Sequence, residues 1–237
     1  MSYGRCKSIS IFIVFIVTLS IYSLVSCTNH QKQHSEEKHD KTTQQRFNDI
    51  DFWVKMFEDP ERDKWQKPAD VVNKMELKSG DVVADIGAGT GYITRHIAVA
   101  VGPEGKALGL DIEQSMADYM SEDAKKLGLT NYEAKVVRTD DPELAPHSID
   151  VVFLCNTYHH IENRVAYFNN VSKSLKPNGR VISVDFYKNT DFGPPRDHKL
   201  AKEVVIQEMK QAGYRLHKDL KFLEHQYYLE FAPEHLK

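Results

Sequence analysis

Cysteine is scarce, with three in 237 residues. Cys6 and Cys27 fall in an apolar leader, so Cys155 stands alone in the remainder and a disulfide-stapled fold is excluded. Positive charge is not in excess either. The chain carries 31 lysines and arginines against 34 aspartates and glutamates, a net charge of -3, and no basic stripe runs through it. Nucleic acid is therefore not an expected partner. No repeat recurs along the chain, which excludes solenoids and propellers. Between Thr28 and Gln45 aliphatic and aromatic residues are absent altogether. Such a stretch buries too little surface to offset its ordering entropy, and its composition predicts a disordered tether. It holds His30, His34 and His39, but no cysteine or ordered scaffold joins them, so no metal is expected.

What precedes the tether is apolar. Arg5 and Lys7 lead into a run from Ile9 to Val25, interrupted by Ser10, Thr18, Ser20 and Ser23. A basic flank, an apolar stretch and small residues before a cut site make an export signal. Leu24-Val25-Ser26-Cys27 resembles the lipobox of bacterial lipoproteins, which implies lipidation of Cys27 as the mature N-terminus. A run of this length also approaches what is needed to span hydrocarbon, so an uncleaved membrane helix is the other reading. In both, the basic flank stays cytoplasmic and the rest crosses the membrane. The expected location is therefore exported and membrane-anchored, on the periplasmic side or in the cell envelope of a bacterium. Thr28, in place of an aspartate after the cysteine, is similar to lipoproteins sorted to the outer membrane. Residues 46–237 then suit one domain, with 46–78 as a helical prelude.

The strongest pattern lies at 82–94, Val-Val-Ala-Asp-Ile-Gly-Ala-Gly-Thr-Gly-Tyr-Ile-Thr. A β-branched apolar run enters three alternate glycines, Gly87, Gly89 and Gly91. An apolar helical pattern follows in Tyr92, Ile93, His96, Ile97, Ala100 and Val101. Strand, tight turn and helix make the first βα unit of a nucleotide-binding sheet. Glycine suits the unusual φ/ψ of the turn and lets a ligand approach bare backbone. Position 92 is tyrosine, where a dinucleotide fingerprint wants glycine or alanine, so a nicotinamide enzyme is disfavoured. Lys106–Asp111 reads as a second strand ending in an acid about twenty residues on, the place of a ribose carboxylate. Asp111 is equally suited to cap the helix that starts near Glu113, and one role does not exclude the other.

A third strand runs over about 132–138 into Thr139-Asp140-Asp141-Pro142, a fourth over Ile149–Cys155. Leu175-Lys-Pro-Asn-Gly-Arg-Val-Ile-Ser-Val184 closes a helix and opens a fifth strand. The glycine triplet behind Asp85 resembles the first motif of class I S-adenosylmethionine (SAM) methyltransferases. The Leu175–Gly179 phrase is similar to that family's leucine-lysine-proline-glycine-glycine segment, and the resemblance runs from about Val71 to Phe231. It implies an α/β fold: a doubly wound, mostly parallel seven-stranded sheet, helices on both faces, and a C-terminal antiparallel hairpin. The cofactor implied is S-adenosyl-L-methionine. Its implied ligands are Asp85, Gly87, Ala88, Gly89, Gly91, Asp111, Ile112 and Asn156, with Asp140 at the adenine amino group.

Helix faces are read at Met116, Tyr119, Met120 and Leu127, at Val165, Phe168, Val171 and Leu175, and at Val204, Ile206, Met209 and Ala212. The stripe Phe52, Trp53, Met56, Phe57 opens the prelude. In the family this segment covers the cofactor, which makes Arg62, Trp65 and Gln66 lid candidates. Cys155 reads as a buried small hydrophobe.

Ligands of open α/β sheets bind beyond the carboxyl ends of strands, where the loop Asn156-Thr-Tyr-His-His-Ile161 falls. An oxygen or nitrogen nucleophile must lose a proton before it is methylated, and histidine titrates in the useful range. His159, His160 and Tyr158 are the catalytic candidates, with His198 a second base. Neighbouring histidines are expected to point apart, one as base and one packing or capping. The loop also reads as a plain polar connection with Asn156 as a cap. The expected function is a SAM-dependent methyltransferase acting on a small molecule or lipid-like acceptor. The alternative is an exported lipoprotein that binds a ligand or partner through this fold without catalysis.

Overall fold

The computed structural model describes residues 49–234. The leader, Cys27, the tether and its histidines lie outside the described residues. Three short helices come first, α1 (Ile50–Phe57), α2 (Arg62–Gln66) and α3 (Pro68–Lys74). There follow β1 (Val82–Ile86), α4 (Thr94–Val101), β2 (Lys106–Asp111), α5 (Gln114–Leu127), β3 (Tyr132–Val136), β4 (Ile149–Cys155), α6 (Arg164–Val171), β5 (Leu175–Phe186), α7 (Lys202–Gln211), β6 (Tyr214–Leu220) and β7 (Gln226–Pro233). The sheet order is β3-β2-β1-β4-β5-β7-β6. Six strands run in one direction, and β7 alone is reversed, antiparallel to both β5 and β6 between which it lies. This is the seven-stranded, doubly wound architecture expected, with its reversed hairpin.

Alternation within the central strands builds two cores. On β4, Val151 and Phe153 face the layer of α3, α4 and α5, with Val71, Ile97 and Met120. Val152 and Leu154 face the opposite layer, with Phe168, Val171, Met209 and Tyr214. Strand order reverses between β1 and β4, and crevices open beyond the carboxyl ends of strands at such a switch point.

Several boundaries differ from the sequence reading. β3 stops at Val136, although Val137 N–H still donates to Asp111 O at 2.9 Å. α6 ends at Val171, a 3-10 turn intervenes, and Leu175 belongs to β5 instead of the helix face. Along β4 and β5, Ile149 pairs with Leu175 but Val151 pairs with Arg180. The Pro-Asn-Gly turn is thus a hump inside the strand, with Asn178 at φ 71°. On α4 Ala98 is buried and Ala100 exposed. Leu127 and Val204 point outward, because Gly128 ends α5 and Val205 takes the inward position on α7.

Candidate active site

Two cavities meet at the switch point. One, of about 700 Å³, lies beneath α1 and α2 and reaches Asp85, Gly87, Ala88, Gly89 and Thr90. The other, of about 1190 Å³, is bordered by Asp111, Ile112, Val137, Asp140 and Asp141. Gly87, Thr157 and His160 border both.

The glycine turn serves packing and access in different measure. A Cβ on Gly87 would lie 2.3 Å from Thr157 Cγ2, and one on Gly91 would meet Tyr132 and Met120. Gly91 borders neither cavity; its glycine is required by its neighbours. Gly89, at φ 58°, also fronts the lid cavity, and there a Cβ would meet Phe57 at ordinary contact distance and no closer neighbour. Its N–H donates to Asp111 Oδ2 at 2.9 Å, and Glu113 N–H donates to Asp111 Oδ1 at 3.0 Å. Asp111 therefore fastens the turn to β2 and stays in the wall of the larger cavity. Burial raises its carboxyl above the usual range, and the backbone donors partly offset this.

Asp85 is 3 % exposed at the end of β1, and Thr94 Oγ1 donates to its Oδ2 at 2.6 Å. Burial pushes its carboxyl up to about 7, helped by the nearby charge of Asp111 and opposed by Thr94 and Arg62. Among the described residues Asp85 has the Thr94 hydroxyl as its side-chain donor and forms no ion pair. An ammonium group in the cavity would complete one.

Arg62 donates to Phe57 O at 2.9 Å and lies 4.0 Å from the centre of the Tyr92 ring. It has no ion pair among the described residues, and its buried Nε finds no acceptor. The hydroxyl of Thr90, also at the lid cavity, is buried without a partner too. Of the lid candidates, Arg62 and Trp65 line the cavity. Gln66 does not. It is fully buried in a ring of amides, donating to Gln226 Oε1 at 2.7 Å while Gln226 donates to Asn156 Oδ1 at 2.6 Å. Asn156, at φ 58°, thus carries a structural bond as well as a place in the cavity wall.

The loop after β4 holds the clearest chemistry. His159 Nδ1 lies 2.8 Å from Asp185 Oδ2, and both side chains are nearly inaccessible. Opposite a carboxylate, Nδ1 is the donor, which leaves Nε2 as the acceptor nitrogen. Asp185 is held in turn by the Phe186 N–H at 2.8 Å. The two histidines do not point apart. A 3-10 turn brings both to one wall, their ring centres 4.1 Å apart. Burial, with His159 beside it, pushes His160 down to about 4 and keeps it neutral.

Tyr158 is a correction. Its ring stacks on Phe168 in the opposite core, its hydroxyl donates to Glu208 at 3.0 Å, and it borders neither cavity. Asp140 is exposed at the rim of the larger cavity, paired with Arg138 at 2.9 Å. Cys155 is half-buried in the lid cavity wall, and His198 also lines that cavity. Asp185 was not singled out in the sequence. Its signal was an acid closing the apolar run Val181-Ile-Ser-Val-Asp185 at a strand end.

A family model described as a methyltransferase domain matches residues 77–226. A phosphoethanolamine N-methyltransferase of Triticum aestivum is 32% identical over 151 residues, which is 62% of this chain and 27% of that protein. A demethylmenaquinone methyltransferase of Geobacillus stearothermophilus is 29% identical over 132 residues, 55% of each. The chain thus spans between about a quarter and about half the length of these relatives. A SAM-dependent methyltransferase from Aquifex aeolicus superposes with a TM-score of 0.73 at 25% identity, over 77% of this chain and 97% of that one.

Proposed function

Because the chain belongs to the methyltransferase-domain family, we propose that it methylates a small molecule using S-adenosyl-L-methionine. When bound, this cofactor supplies a methyl group on a sulfonium. The residues present fit it. Asp85 would meet the amino group and Arg62 the carboxylate, the two charges that sit on one carbon of an amino acid. Asp111 would accept from the ribose hydroxyls, with Ile112 and Asp140 toward the adenine. Two buried polar groups without partners, Arg62 Nε and Thr90 Oγ1, lie where such a ligand would satisfy them.

The observation that carries catalysis, over mere binding, is His159 in the lid cavity wall, backed by Asp185 behind it. Asp185 orients the imidazole and stabilises it once protonated, so Nε2 can take a proton from an acceptor. Methyl transfer is an in-line displacement and needs mainly alignment, which a lidded cavity supplies. His159→Ala should lower turnover about a hundredfold while leaving cofactor affinity unchanged. Calorimetric titration with SAM and S-adenosylhomocysteine tests the cofactor directly. No binding at millimolar concentrations would favour the ligand-binding lipoprotein instead. The leader further supports attachment to a membrane on the exported side, through acylated Cys27 or the apolar segment.

A further inference from the structure

The lid cavity is unequal in its chemistry. Among the described residues lining it, Asp85 is the one carboxylate and Arg62 the one permanent cation. The proposed cofactor would use both. What remains around His159 holds no further carboxylate, lysine or arginine and is rich in aromatic rings. Trp65 lies 5.1 Å from Phe192, edge to face, and 5.7 Å from Phe186. Phe192 is stacked on its other side by His225 at 4.2 Å and 16°.

This wall is built, at some cost. Lys199 is 1 % exposed, yet its ammonium has no carboxylate partner among the described residues. It donates to Thr190 O and Phe192 O, each at 2.8 Å, and lies 5.8 Å from the centre of the Phe186 ring. A buried charge spent on two carbonyls is expensive, so its return is a fixed loop. Gly193, at φ 85°, lets that loop rest on Phe186, because a Cβ there would lie 2.6 Å from the ring.

We infer that Trp65, Phe186 and Phe192 form a clamp for a flat, uncharged aromatic acceptor, methylated on a phenolic hydroxyl. Lys199 is the positioning residue of that clamp. This rests on the methyltransferase reading above. Rings of this kind bind aromatic faces and edges favourably. A cationic amine would find no spare carboxylate, and an anionic acceptor no spare cation. A phenol needs neither, but it needs the base. Its O–H bond breaks toward His159 Nε2 while the oxygen–methyl bond forms. The methyl–sulfur bond breaks with its electron pair left on sulfur, which becomes a neutral thioether.

The test uses 1-naphthol, with phosphoethanolamine and N-methylethanolamine as anionic and cationic counterparts. Calorimetry on the full protein saturated with S-adenosylhomocysteine measures binding of each, and mass spectrometry after incubation with SAM detects methoxynaphthalene. Naphthol should bind and be methylated. Phe192→Ala, at a half-exposed ring, and Lys199→Met should weaken naphthol about tenfold, the scale of one lost ring contact, and leave S-adenosylhomocysteine affinity unchanged. Trp65→Phe should retain most of the binding that Trp65→Ala loses. Methylation of phosphoethanolamine or the amine in place of naphthol would overturn the clamp. So would naphthol binding indifferent to Phe192→Ala. Loss of S-adenosylhomocysteine binding in the unaltered protein would instead sink the methyltransferase reading beneath it.

Discussion

At Asp85 a single carboxyl couples stability, pH and cofactor. Its folded acidity lies near 7, against an ordinary carboxyl near 4. A raised value means the stabilisation is full below the ordinary carboxyl range and is lost as pH climbs to about 7. Each tenfold displacement of acidity is worth about 1.4 kcal/mol, enough to move Tm by roughly 3–5 °C in a domain of this size. The ligand-free protein should therefore melt lower at pH 7 than at pH 5, and Asp85→Asn should flatten that slope. An ammonium in the cavity stabilises the ionised form. SAM binding below pH 7 should thus expel a proton, with affinity rising toward pH 7. Titration in buffers of different ionisation heats measures that proton, and its persistence in Asp85→Asn would place the titration elsewhere. Residue roles were unevenly legible. Asp85, Gly89 and Asp111 stand in a motif whose spacing reveals them. Asp185 and Lys199 owe their importance to neighbours 26 and 7 to 9 residues away, which no local pattern announces.

Among the elements, the lid is secured to the sheet by polar fastenings. Arg95 holds Glu58 through two contacts of 2.8 and 2.7 Å, Tyr92 donates to Asp63, and the amide ring joins Gln66 to Gln226 and Asn156. None of the residues of α1 is buried, so these bonds replace a hydrophobic seat for it. Gln226→Leu leaves the buried Gln66 amide and the half-buried Asn156 amide short of a partner, at a cost of about 1–3 kcal/mol for the buried one. It should speed amide hydrogen exchange across α1 and α2 while β1 and β4 stay protected; equal exchange in the lid would show that the ring does not hold it. Strands and helices were legible because their periods are strict. The lid's seat was not, because fastening by single polar bonds across 160 or 37 residues leaves no period to read. The same holds for the hump in β5, where the Pro-Asn-Gly phrase signals a turn but not that the strand resumes beyond it.

For the whole molecule, the fold and the proposed address fall in separate parts of the chain and rest on separate physics. The fold of the described residues comes from alternating strands between 82 and 233. On the proposed reading, the address would come from the apolar run and the four residues that end at Cys27. Exported, the domain would work away from the cytosol, where SAM is made, so where the mature chain resides bears directly on its chemistry. Acylation at Cys27 would add about 0.8 kcal/mol of membrane affinity for each buried methylene, and two or more chains make attachment effectively permanent. Cys27→Ala should then block both acylation and cleavage, leaving a heavier precursor held by its apolar segment. In the unaltered protein, mass spectrometry of the membrane fraction should find an N-terminal peptide that begins at Cys27 and carries acyl mass. A peptide that begins before Cys27 without that mass would restore the uncleaved membrane helix. Recovery of the protein from the soluble fraction alone would remove the anchor and leave the domain beside its cofactor supply.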